Sequence, residues 1–139
     1  MQYLDTRDLY KRQCELRKEK EDLEAALADA EKTVQETENE ATMSRLYAAT
    51  HDLQDWIEEN QEELDELNSL ENEVSEWTRG NTMILESEWV SYVQDLADDL
   101  GAANDLTSWI VIDWEATADG VRMDYHEVTY QGETYLVRD

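Results

Sequence analysis

Asp52, Asp55, Glu58, Glu59, Glu62, Glu63, Asp65, Glu66, Glu71, Glu73 and Glu76 put eleven acids in one short stretch with no Lys or Arg between them. Carboxylates in pairs are the raw material of general acid–base catalysis, yet in a chain with 36 acids no one pair stands out for that work. The other reactive groups are few. His51 and His126 lie in different parts of the chain, and neither belongs to a cluster with metal-ligand spacing, so surface or packing roles are expected. Cys14 has no histidine near it in sequence and reads as an incidental thiol. Asp95-Leu-Ala-Asp98-Asp99 lacks the alternating Asp and Gly of a calcium loop. No Gly-rich phosphate loop, Gly-x-Ser-x-Gly elbow or paired cysteines occur. The expectation is a chain that is not an enzyme, with no catalytic residue, metal ligand or cofactor.

What remains is the charge itself and the element that must carry it. Leu46, Ala49, Leu53, Trp56, Ile57, Leu64, Leu67, Leu70, Val74 and Trp77 run through the acids at steps of three and four. That period predicts one apolar stripe on a helix, with the carboxylates on the remaining surface as a rigid rod of negative charge. A helix of about 35 residues would be about 50 Å long.

The 36 acids against 11 bases give a formal net charge of −25. Nucleic acid and anionic membranes are poor direct partners for such a surface, and a basic protein is its complement. The surplus is uneven, because residues 1–40 hold 12 acids and seven bases while 41–139 hold 24 acids and four bases. Solubility or adaptation to high salt would also account for surplus acids; against salt adaptation, the acids crowd one helix rather than spreading evenly. A lone cysteine fits a reducing compartment, the first residues lack a leader pattern, and no apolar run approaches membrane-spanning length, so a cytoplasmic location is expected.

In chain order, Asp5 or Thr6 is placed to cap a first helix. Leu9, Leu16, Leu23 and Ala30 recur every seven residues, with Thr6, Gln13, Lys20, Leu27 and Val34 at the alternate seam position, which is a coiled-coil register. Cys14 falls outside that seam. Asn39 to Ser44 is the weakest helical stretch, where the chain either turns into an antiparallel hairpin or continues as one long helix. Neither helix can bury its stripe alone, so Leu9, Leu16, Leu23, Leu27, Leu53, Ile57, Leu64, Leu67 and Val74 are expected to form a seam within the chain, between two copies, or both. A homodimer is expected on that basis. Thr78 to Thr82, with its Gly and Asn, marks a boundary between an acidic coiled-coil arm, 1–79, and a small α+β domain, 80–139.

Met83-Ile84-Leu85 predicts a short extended piece, and Ser87 a cap for a helix over 88–100 that Gly101 ends. Trp109 to Ile112 is a compact apolar run, and Asp113 predicts the cap of a helix over about 114–122. The alternation from Tyr125 to Tyr130, then Gln131-Gly132, then Glu133 to Arg138, predicts a terminal β-hairpin. The fold class is α+β, mostly α: a long helical hairpin or coiled coil, then a small domain of two short helices and a β-hairpin.

Duplex DNA carries one charge per roughly 1.7 Å of axis, so 25 surplus charges match those on about 40 Å of duplex, the same order as the long helix. A helix bearing such charge can satisfy the Lys and Arg of a DNA-binding groove as phosphates do.

Tyr92-Val-Gln-Asp-Leu-Ala-Asp-Asp-Leu-Gly101, Ile112-Asp-Trp-Glu-Ala-Thr-Ala118, Asp124-Tyr-His-Glu-Val128 and Tyr135-Leu-Val-Arg138 resemble the closing section of ArdA-type antirestriction proteins, over about residues 86–138. The family consists of dimeric DNA mimics from phages and mobile elements that inhibit type I restriction–modification enzymes. Its further small α/β domains have no counterpart in the helical first 80 residues here. The resemblance implies an anti-defence protein that occupies the DNA-binding site of a host restriction or CRISPR nuclease complex. Its working parts would be the surface carboxylates Asp55, Glu58, Glu59, Glu62, Glu63, Glu66, Asp95, Asp98 and Asp99. The alternative is a non-enzymatic coiled-coil adaptor whose acidity serves only solubility.

Overall fold

The computed structural model describes residues 3–101 and 109–139. Among these residues the elements in order are β1 (Tyr3–Asp5), α1 (Thr6–Glu36), α2 (Glu40–Glu73), β2 (Thr82–Leu85), a 3-10 turn (Glu86–Glu88), α3 (Trp89–Asp99), α4 (Trp114–Val121), a second 3-10 turn (Arg122–Asp124), β3 (Tyr125–Tyr130) and β4 (Glu133–Arg138). The fold is α+β and mostly α, as the periodicity implies. The chain forms two compact units, one of residues 10–69 and one of residues 1–9 with 70–139.

Residues 10–69 are an antiparallel helical hairpin. Partners across it run in opposite directions: Arg12 with Glu63, Glu19 with Trp56, and Asp29 with Arg45. The turn is Thr37–Asn39, not Asn39–Ser44, and residues 40–44 are already helical. A reciprocal cap fixes it, since the Thr42 N–H donates to Asn39 Oδ1 (2.9 Å) and the Asn39 N–H to Thr42 Oγ1 (3.0 Å). The seam of α1 falls where the heptads place it, with Gln13, Leu16 and Ala30 buried and Lys20, Leu23, Leu27 and Val34 half-buried. On α2, Trp56, Leu64 and Leu67 are buried and Leu46, Ala49 and Leu53 half-buried. Ile57 departs from the seam within the chain, because it is 40% exposed and lies outside the stripe buried in the hairpin. One position beyond Trp56 is about 100° further around the helix, which carries its side chain off the stripe. Half-buried Asn60 follows in the stripe, its amide donating back to Trp56 O.

The second unit is built on an antiparallel sheet of order β1-β2-β4-β3. The short strand β1, which the sequence reading takes as part of the helical arm, pairs Tyr3 with Ile84 and Asp5 with Thr82. Residues directly opposite in an antiparallel pair share a face. Ile84 and Leu136 therefore lie together, buried with Trp89 and Val93 of α3 and Ala118 of α4. Trp89 Nε1 donates to Ala118 O (2.9 Å), tying the two helices together, and its ring meets Tyr125 edge-on at 4.7 Å. Burial in this cluster raises the Tyr125 phenol above its usual range, Tyr92 adding to the effect. On the other face Met83, Val128 and Val137 are buried, and His126 Nε2 donates to the Glu73 carbonyl (2.7 Å) at the end of α2. The helix ends at Glu73 rather than running to Trp77, although Val74 and Trp77 stay buried.

Local signals set the remaining boundaries. Asp5 Oδ1 accepts the Arg7 N–H (2.9 Å), a cap for α1, while Thr6 Oγ1 accepts the Asn81 N–H (2.7 Å). Asp113 caps α4 by accepting the Ala116 N–H (3.1 Å). Ser87 caps nothing, since α3 begins at Trp89 after the 3-10 turn and has no side-chain cap. Gln131 and Gly132 both have positive φ, 50° and 77°, the two-residue turn that joins β3 to β4. Gly80, at φ 117°, lies against the Arg7 side chain, where a Cβ would meet Arg7 Nε at 3.0 Å. Trp109 to Ile112 form no strand, and Trp109 and Val111 are largely exposed.

Candidate functional site

Helical spacing decides which carboxylates of α2 act together. Asp55, Glu58, Glu59, Glu62, Asp65 and Glu66 recur at three- and four-residue steps on the face away from Leu53, Trp56, Leu64 and Leu67. Asp55, Glu58, Glu59, Glu62 and Asp65 are exposed, and Glu66 is half-buried. Eleven steps at 1.5 Å each make this line about 16 Å long, so its charges fall about every 3 Å. One strand of DNA carries a charge per about 3.4 Å of axis. Asp65 belongs to this line by the same spacing, although the sequence reading leaves it out.

Glu63 stands apart. Arg12 grips it with two bonds, Nε to Oε1 (2.9 Å) and Nη2 to Oε2 (3.2 Å), and these hold the Glu63 carboxyl below its usual range against the opposing effect of burial. It is a structural ion-pair member rather than one of the outward carboxylates. Its partner lies 51 residues away in the sequence.

The hairpin also redistributes charge. Glu19 is level with Trp56, its carboxylate accepting from the indole N–H (3.1 Å). Between that level and the open end, residues 10–20 and 56–69 carry eight acids against five bases. Between it and the turn, residues 21–55 carry ten acids against two bases. The acid-dense sequence of α2 therefore lies beside the basic start of α1, and the least compensated charge lies toward the turn.

In the other unit, Asp95, Asp98 and Asp99 are exposed on α3 and line an open cleft of about 470 Å³ with Tyr3, Tyr92 and Leu96. Two phenol rings and three carboxylates suit a cationic side chain, which the ring faces and the negative charge both attract. Cys14 is exposed, and His126 Nδ1 pairs with the Asp139 carboxylate. Among the described residues no three His, Cys, Asp or Glu side chains are grouped to hold a metal ion. No described helix is long and apolar enough to cross a membrane.

Together the fold and this surface define an α+β protein with a coiled-coil hairpin and a carboxylate line along one helix. No protein-family model matches the chain, no curated protein is significantly similar to it, and no solved structure matches it.

Proposed function

We propose that this chain is a phage or mobile-element anti-defence protein that acts as an acidic DNA mimic in the cytoplasm of the host. It occupies the DNA-binding site of a restriction or CRISPR nuclease complex. The observation that carries this reading is the line Asp55, Glu58, Glu59, Glu62, Asp65 and Glu66, whose charge spacing is that of one DNA strand. A basic groove that has evolved for phosphates would pair with this line and release counterions as it does on DNA. Asp95, Asp98 and Asp99 supply a second, separate set of carboxylates. The chain itself performs no chemistry and binds its target as an inhibitor.

The test is capture of partners from bacterial lysate on the tagged chain, followed by elution with duplex DNA and with rising salt. Recovery of a nuclease complex that duplex DNA displaces, and whose DNA cleavage the pure chain blocks, supports mimicry. Partners that DNA cannot displace would instead favour a coiled-coil adaptor, a reading for which the exposed Trp109 and Val111 are the specific observation.

A further inference from the structure

The seam that the sequence offers for pairing two copies is used inside one chain, where Leu16 of α1 and Leu64 and Leu67 of α2 are buried in the hairpin. A second seam lies beside it on α2. Met43, Tyr47, Thr50, Gln54, Ile57 and Gln61 follow one another at steps of four and three, the spacing of a coiled-coil core. None is charged, in a helix whose neighbouring face carries the acid line. Tyr47 is 69% exposed, and Met43 and Ile57 are also exposed. The adjoining primary seam is thin in the same region, with Leu23, Leu27, Leu46 and Leu53 only half-buried.

We infer that this uncharged stripe is the interface for a second copy of the chain. The occupant follows from charge. A basic partner would seat on the acid line, whereas a like-charged copy, itself bearing 18 acids and seven bases in residues 10–69, can approach only where acids are missing. The stripe is the uncharged lane along α2. Two hairpins packed through it cover Met43, Tyr47 and Ile57 and thicken the cover over the half-buried leucines. The acid lines of both copies stay outside the contact.

The salt dependence of this association has a sign opposite to that of binding to a basic groove. Residual repulsion between two acidic hairpins is screened by salt, so dimerisation tightens as salt rises, while contacts to Lys and Arg weaken. Sedimentation equilibrium of the full chain alone, from about 0.1 M to about 0.5 M NaCl, reads this directly. The expected result is a dimer whose dissociation constant falls several-fold across that range. Tyr47→Glu and, separately, Gln54→Glu put a like charge into the stripe at exposed positions and are expected to weaken the dimer at least tenfold with unchanged helical circular dichroism. A monomer at both salts overturns the inference. So does a dimer that both variants leave intact, or one that salt dissociates. No partner protein enters the experiment, so its failure leaves the DNA-mimic reading standing, and the reverse also holds.

Discussion

The two halves of the helical hairpin are built from one heptad pattern but differ in both packing and charge. Toward the open end, Gln13, Leu16, Leu64 and Leu67 are buried, and Arg12 neutralises Glu63 across the seam. Toward the turn, Leu23, Leu27, Leu46 and Leu53 are half-buried, Ala30 is the buried exception, and ten acids face two bases. Where packing is dense the charges are closer to balance, eight acids against five bases, and where it is thin they are ten against two. Repulsion and incomplete burial act in the same direction, so the turn half is the part whose stability should respond to salt and to association.

Packing gives the largest expected effect. Leu16→Ala removes a side chain with no exposed surface and should cost about 2–4 kcal/mol, read from urea unfolding. Leu23→Ala, at the equivalent seam position one heptad further toward the turn, should cost about 1 kcal/mol because its site is already partly open. Equal losses would break the comparison, since they would mean that both halves are packed alike in solution.

The next effect concerns which acids work. The combined variant Glu58→Gln, Glu59→Gln and Glu62→Gln empties the middle of the outward line and should weaken binding to a captured nuclease about tenfold, with a shallower dependence on salt. A matched variant in the turn half, Glu31→Gln, Glu36→Gln and Glu40→Gln, removes as many charges from a region with more uncompensated acid. If that second variant weakens binding more, bulk charge matters and the spacing of the line does not.

Salt should separate the two halves in the chain alone. Amide exchange in residues 21–55 should slow about threefold when NaCl rises from about 0.1 M to about 0.5 M, with little change in residues 10–20 and 56–69. A uniform response would show that the repulsion is shared along the whole hairpin.

Much of this fold was legible because its signals are local. The heptads of α1 placed every seam residue from Thr6 to Val34, the Asp5 and Asp113 caps sit where short polar side chains precede helices, and Gln131-Gly132 made its turn. What was missed depends on residues far apart in the chain. Three residues, Tyr3 to Asp5, become a strand only because β2 lies open beside them. The last residue of α2 is bonded by His126, 53 residues away, and the paired state of Glu63 is set by Arg12. The turn lies ahead of the polar run Asn39–Ser44 because Asn39 and Thr42, at capping-box spacing, bond reciprocally and start α2 there. The acids of the candidate site were legible as a set, yet whether each one faces solvent or a guanidinium depended on α1.

The smallest effect tests that last distinction at Glu63. Its carboxyl is held low chiefly by the two Arg12 bonds, so its folded value lies below the unfolded one near 4.3. A carboxyl shifted in this sense stabilises fully above the unfolded value and loses its contribution as pH falls through the folded value. Both side chains are about a third exposed, and Arg12 has a second acid within reach, Glu15 at 3.7 Å, so the contribution is modest. Glu63→Gln should therefore cost only about 0.5 kcal/mol at neutral pH. That gap should close below about pH 4, as the native protein loses the charge that the variant never had. The corresponding Glu62→Gln change removes a carboxylate with no ion pair among the described residues and should cost nothing at either pH. A loss at Glu62 as large as that at Glu63 would mean that Arg12 does not select its partner, and the division between structural and outward acids on α2 would fall.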